Sequence, residues 1–257
     1  MTAQAGAARA GEGGGPMGED SGFERDLEAI SRHYTERFLP ANPWASLLNA
    51  HPYLVARQRQ RRVREALVEC GVRTPEALRG MSVLDVGCGS GSNLAWLVEL
   101  GADPSRLTGI DLVAQRTELA RSRFAGIRFV AGDFLQADVG GPFDMVMMFA
   151  VLSSVTNAEL KRGLMDKALR LLRPGGIFFF YDVVSRRPIP GTAAYQRLTF
   201  AELEGYFAPR PLRVFRRDIL RREVADRLVQ RFGVTVAELV QATGLLNIDG
   251  TFAYARG

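Results

Sequence analysis

A chain of 257 residues has room for one medium α/β domain with an added cap, and it can bury a core of ordinary size. Its 47% hydrophobic and 24% charged content is that of a soluble globular protein, and no run approaches the roughly 18–20 apolar residues that cross a bilayer. The net charge of +5 is diffuse and almost wholly arginine, Lys161 and Lys167 being the only lysines, whereas a nucleic-acid binder more often gathers its charge into one stripe with interleaved aromatics.

Residues 1–20 are rich in Ala and Gly, contain Glu12, Glu19 and Asp20, and read as a disordered tail. They lack the basic start and apolar core of a signal peptide, so a cytoplasmic location is expected. From Gly22 to Phe38 the spacing of Phe23, Leu27, Ile30, Tyr34 and Phe38 predicts one face of a helix, ended by Pro40 and Pro43. A loop carrying Asn42, Trp44, Asn49 and His51 leads into a second helix over Tyr53–Cys70. Its densest basic stretch, Arg57 to Arg64, reads as a solvated face, with contact to an anionic ligand as the alternative. Together these segments predict a helical cap over residues 21–78, ahead of a domain over 79–257.

A strand–helix alternation follows. Strands are expected at Ser82–Val86, Leu107–Ile110, Ile127–Ala131, Phe143–Phe149 and Ile177–Val184, with helices at Asn93–Leu100, Ala114–Phe124 and Ala158–Leu172. Such alternation implies a doubly wound, mostly parallel sheet with helices on both faces. The remainder differs: Leu212–Ile219 and Thr251–Ala255 read as two more strands around a helical stretch, Glu223–Leu245, and fit an antiparallel pair at the sheet edge.

The first strand ends in Gly87-Cys88-Gly89-Ser90-Gly91. Alternate glycines let the backbone turn sharply and approach a ligand, and the helix that follows points free N–H groups into the same space. A nicotinamide dinucleotide site would produce something similar. Asp111, ending the second strand, suits ribose hydroxyls in either case. Asp85, ahead of the glycines, suits a positively charged amino group and would repel a pyrophosphate. Asp133 with Phe134 follows the third strand, and Arg173-Pro174-Gly175-Gly176 reads as a tight turn before the fifth.

In this order Leu84–Gly91, Gly109-Ile110-Asp111, Gly132-Asp133-Phe134, Phe143–Val146 and Leu172–Gly176 resemble successive motifs of the class I S-adenosylmethionine-dependent methyltransferases, over about residues 80–185. The resemblance implies a seven-stranded sheet whose last strand is antiparallel, with S-adenosyl-L-methionine as cofactor. It implies that Asp85, Gly87 and Gly89 line the methionine end, that Asp111 holds the ribose, that Leu112, Asp133 and Phe134 bracket adenine, and that Phe149 borders the sulfonium. Tyr34, Arg59, Cys88 and Asn93 join them as expected cofactor contacts, Arg59 toward the methionine carboxylate. Upstream, Asn42-Pro43-Trp44, Asn49 and the Arg57–Arg61 helix are similar to bacterial methyltransferases of sugar and natural-product tailoring.

The methyl group of a sulfonium is an electrophile transferred by in-line displacement, so the protein mainly supplies alignment in a dry pocket. A hydroxyl acceptor gains from a general base, and the candidates in order are His51, His33 and Asp182. Cys88 reads as a small filler of the turn, Asp144 as a local cap, and Ser153-Ser154 as either loop hydrogen bonds or pocket lining. No metal-ligand pattern is evident, and two cysteines cannot complete a tetrahedral zinc site. The expected activity is O-methylation of a sugar or secondary metabolite. N- or C-methylation of a natural product, RNA methylation and a non-catalytic cofactor-binding role are the alternatives. The expected partner is a small-molecule acceptor, with neither membrane nor nucleic acid, and a homodimer is left open.

Overall fold

The computed structural model describes residues 27–32, 35, 46–192, 195–248 and 250–257. Residues 27–32 are helical, as the spacing of Leu27 and Ile30 predicts. The expected tail, His33, Tyr34 and the Asn42-Pro43-Trp44 segment lie outside the described residues.

The sheet grows from β1 (Val83–Val86), four residues all buried. It pairs in parallel with β2 (Leu107–Asp111) on one side and β4 (Phe143–Phe149) on the other. Beyond these lie β3 (Arg128–Ala131) and β5 (Leu172–Ser185), which bears a two-residue spur, β6 (Leu198–Thr199). The order is β3-β2-β1-β4-β5-β10-β7, with β7 at Leu212–Phe215. Strand β10 (Gly250–Arg256) runs antiparallel to both its neighbours. This is the mixed, mostly parallel architecture that the alternation and the resemblance imply.

Strand alternation sorts the core into two layers. Leu84, Val86, Val146, Met148, Phe178 and Phe180 face one way, covered by α5 (Ala158–Arg170) and α6 (Phe200–Phe207). Val83, Met145, Met147 and Phe179 face the other, with Val63 and Leu67 of α1 (Ala50–Glu69), Leu78 of α2 (Pro75–Arg79), and Leu94 and Leu97 of α3 (Ser92–Glu99). Helix α4 (Ala114–Arg123) follows β2.

Several elements depart from expectation, among them the expected strand Leu212–Ile219, of which only Leu212–Phe215 joins the main sheet. Arg173–Gly176 is a bulge inside β5 rather than a turn before it: Phe143 pairs with Leu172, yet Met145 pairs with Ile177. Thr199 and Glu202 form a reciprocal capping box that starts α6. The stretch Glu223–Leu245 is two helices, α7 (Arg222–Phe232) and α8 (Val234–Thr243), because Gly233 sits between them at φ +84°. These helices are inserted between β8 (Ile219–Leu220) and β9 (Asn247–Ile248), which pair with each other, and α1 packs against α7, β8 and β10.

Candidate active site

The carboxyl ends of β1, β2, β3 and β4 meet at a cavity of about 360 Å³. This is the crevice in which open α/β sheets bind ligands, and its volume falls in the range of small-molecule sites.

The glycine loop is folded onto β2: the amides of Gly87 and Cys88 both donate to the Ile110 carbonyl, at 2.8 and 2.9 Å. Gly87 has φ +72°, and a Cβ there would lie 2.5 Å from Val151 Cγ2; Gly89 has φ +55°, and its Cβ would lie 2.7 Å from Arg116 Nη2. Side chains at these two positions would fill the lip of the cavity as well as strain the backbone. Cys88 is buried, and desolvation pushes its thiol well above the ordinary cysteine range, so it fills the turn as an inert thiol.

Asp111 closes β2. Its Oδ2 accepts from Gly89 N at 2.8 Å and faces Arg116 Nη1 at 3.5 Å, while Oδ1 accepts from Val113 N at 3.0 Å. Asp133 accepts from Leu135 N at 2.9 Å and lines the cavity beside the buried Phe134, over whose ring Lys167 Nζ sits at 5.1 Å.

At the β1 end, Asp85 is fully buried behind the loop and receives Asn93 Nδ2 at 3.3 Å, and its Oδ1 has no hydrogen-bond partner among the described residues. Burial is the main cause that pushes its carboxyl up to about 7, against the Asn93 bond and the Arg59 charge. Arg59 reaches in from α1, its guanidinium carbon 5.6 Å from the Phe149 ring centre and 5.4 Å from that of Tyr181, and its Nε is buried and unpartnered too. Burial lowers its guanidinium from the ordinary value. A carboxyl one layer behind the cavity and a guanidinium lining it therefore stand at the β1 end without a salt bridge to each other, each with a buried polar atom that has no partner among the described residues.

Of the expected cofactor contacts, Arg59, Gly87, Cys88, Gly89, Asn93, Asp111, Leu112, Asp133, Phe134 and Phe149 line the cavity, and Asp85 stands one layer behind. Tyr34, like the candidate base His33, lies outside the described residues. The structure places the other two candidate bases elsewhere. His51 is not among the lining residues: it is seven residues from Gln58, on the helix face turned to α7, where burial and then the Arg222 charge lower its pKa. Asp182 is buried in β5 with both oxygens engaged, Oδ2 by Ser153 N at 3.0 Å and Oδ1 by Val183 N at 2.8 Å. Burial raises its carboxyl. It anchors the 3-10 turn Leu152–Ser154, whose Ser154 lines the cavity. Asp144 accepts from Ser82 N and Oγ, both at 2.8 Å, and from Arg173 Nη1 at 2.8 Å, a structural role through partners distant in sequence rather than a local cap.

Arg116, Val151, Val155, Leu160 and Leu164 also line the cavity, as do Leu27 and Ile30 of the N-terminal helical residues, and they carry no motif of their own. Leu160 and Leu164 do share the i, i+4 spacing of α5, a signal for a common face but not for a pocket. Among the described residues no group of His, Cys, Asp or Glu is placed to hold a metal, and no helix is long and apolar enough to cross a membrane.

The sheet order, the reversed β10 and the ligand crevice at the strand ends define the class I methyltransferase fold. Residues 83–176 match the family model described as methyltransferase domain, so the chain carries such a domain. Among curated relatives, an arsenite methyltransferase of Aquipseudomonas alcaligenes is 28% identical over 149 residues, 53% of this chain and 42% of the relative. The O-methyltransferase cnsE of Penicillium expansum is 34% identical over 142 residues, 52% of this chain and 49% of the relative. These matches span less than half the length of either relative. Among solved structures, the N-methyltransferase NodS of Bradyrhizobium japonicum, in complex with S-adenosyl-L-homocysteine, superposes with a TM-score of 0.61 at 17% identity, covering 89% of this chain and 98% of that one.

Proposed function

We propose that the protein transfers a methyl group from S-adenosyl-L-methionine to a small-molecule acceptor, a hydroxyl of a sugar or secondary metabolite. The observation that supports the cofactor half of this reading is the unjoined pair of a buried carboxyl, Asp85, and a guanidinium, Arg59, at one end of a cavity whose other end offers Asp111 and Asp133. A ligand that is a nucleoside at one end and a zwitterionic amino acid at the other matches both ends. A dinucleotide would instead bring a pyrophosphate toward Asp85.

The fit is supported by the lip of the cavity, where a Cβ at Gly87 or Gly89 would crowd Val151 or Arg116 on a backbone of positive φ. In this reading Arg59 takes the carboxylate, and Asp85, with Asn93 beside it, favours the ammonium. Asp111 accepts from ribose hydroxyls, and Leu112, Asp133 and Phe134 hold the adenine. Bound there, S-adenosyl-L-methionine supplies an electrophilic methyl group. Phe149, Val151, Val155 and the Leu160–Leu164 face exclude water, and Asp182 fixes the turn that completes this wall.

The test is incubation of the full chain with methyl-labelled cofactor and panels of hydroxylated glycosides, phenols and amines. Label is expected in hydroxyl acceptors. Label in amines alone would replace the acceptor atom, and label in RNA or protein alone would overturn the small-molecule reading. Cofactor binding without product on any panel would point to a non-catalytic role.

A further inference from the structure

Arg59 is the residue of α1 that lines the cavity, and its neighbours on α1 are held elsewhere. Gln58 and Arg62 lie within about 40° of each other around the helix, and Arg59 projects about 60–100° away from them. Both neighbours converge on one carboxylate outside the methyltransferase-domain match. Asp218 Oδ1 accepts from Gln58 Nε2 at 2.6 Å and from Arg62 Nη2 at 2.7 Å, and its Oδ2 accepts from Arg62 Nε at 2.8 Å. The Arg62 guanidinium also lies 4.2 Å from the centre of the Phe215 ring.

The acceptor is itself held. Asp218 N donates to the Gly250 carbonyl at 2.9 Å, at the start of β10, and Asn247 Nδ2 donates to the Arg217 carbonyl at 2.8 Å. Gln241 of α8 extends the network: its Nε2 lies 3.4 Å from Gln58 Oε1, and its Oε1 accepts from Leu220 N at 3.2 Å. Gly250 pairs with Val183 of β5, and Phe252 with Tyr181, the residue over whose ring Arg59 sits. The contacts therefore close a ring from Asp218 through β10 and β5 to Tyr181, across to Arg59, and back along α1.

We infer that Asp218 is a positioning residue: by gripping Gln58 and Arg62 it sets the rotation of α1, and so aims Arg59 at the amino-acid end of the ligand. The turn that enters β8, backed by Gln241 from the segment inserted after it, is then the platform for one end of the binding site. This rests on the assignment of Arg59 to the cofactor carboxylate. An arginine on a helix that could roll by one side chain would lose the fixed geometry that makes a guanidinium–carboxylate pair strong.

Calorimetry with S-adenosylhomocysteine and with 5′-methylthioadenosine, the same nucleoside thioether without the amino-acid end, tests it. Arg59→Gln is expected to weaken S-adenosylhomocysteine about tenfold and to leave methylthioadenosine within about twofold. Asp218→Asn is expected to weaken S-adenosylhomocysteine about fivefold, leave methylthioadenosine within the same bound, and add nothing in the Arg59→Gln background. Arg62→Lys keeps the charge and loses the two-pronged grip, so it gives a second reading if Asp218→Asn does not fold. Equal weakening of both ligands, no weakening of either, or an undiminished effect without Arg59 would overturn the positioning role. If the unaltered protein binds S-adenosylhomocysteine no better than methylthioadenosine, or Arg59→Gln changes neither, the cofactor assignment itself fails and the inference falls with it.

Discussion

Asp85 has surroundings far from those of an ordinary aspartate: fully buried, one oxygen unpartnered, its carboxyl pushed up to about 7 mainly by desolvation. The sign of the consequence follows from linkage. Below the ordinary carboxylate value of about 4 the group is protonated both folded and unfolded, and its burial is tolerated. As pH rises from there toward 7 the unfolded chain ionises and the folded chain resists, so the ligand-free protein loses stability across that window. An ammonium placed near the carboxylate reverses the preference and lowers the pKa. Binding of S-adenosylhomocysteine near pH 6.5 is therefore expected to release protons. Calorimetry in buffers of different ionisation enthalpy would show it as a buffer-dependent heat, and Asp85→Asn should abolish that dependence. Identical heats in all buffers for the unaltered protein would show that Asp85 does not meet the charged end of the ligand.

At the scale of elements, the turn after β4 depends on the strand beside it. Ala150 has φ +56°, a conformation unfavourable for a residue with a Cβ, and its amide is tied to the Tyr181 carbonyl at 2.6 Å. Ser153 is held from below by Asp182 and from above by Gln196 N, which donates to its carbonyl at 2.7 Å. Asp182→Ala leaves the buried Ser153 amide unpaired, at a cost of about 1–3 kcal/mol, and should lower the melting temperature. Asp182→Asn should preserve the shape of the pH profile of kcat, whereas loss of a general base would remove its rising limb. The same elements show what was legible in the sequence. Short apolar runs leading into Gly or Asp marked β1 to β3 and their ligand-facing ends, and the apolar run Met145–Phe149 marked β4, because buried parallel strands have few other compositions. The Thr199–Glu202 capping box and Gly233 were also written there, yet they are local signals inside a region without strong periodicity. The face of α1 was not legible: His51 and Arg59 are both polar residues on one helix, and only its packing on α7 and β10 turns Arg59 inward and His51 away.

For the whole molecule, the site is assembled from distant segments: the ends of β1 to β4, α1 before them, and the 3-10 turn and α5 after β4. None of these segments alone makes the cavity, so the unfolded chain has nothing with which to hold the same ligand, and binding must stabilise the fold as a whole. At a ligand concentration about one hundred times the dissociation constant the gain is about 2.7 kcal/mol. For a chain of this length that corresponds to a rise in melting temperature of about 5–10 °C. S-adenosylhomocysteine is expected to produce this rise in a thermal melt, and methylthioadenosine a smaller one at equal concentration, because it leaves the Arg59 and Asp85 end empty. Gly87→Ala should reduce the response to S-adenosylhomocysteine, since its Cβ would meet Val151 at the lip of the cavity and strain a backbone at φ +72°. A melting temperature indifferent to millimolar S-adenosylhomocysteine would mean that the crevice, for all its geometry, does not hold this ligand.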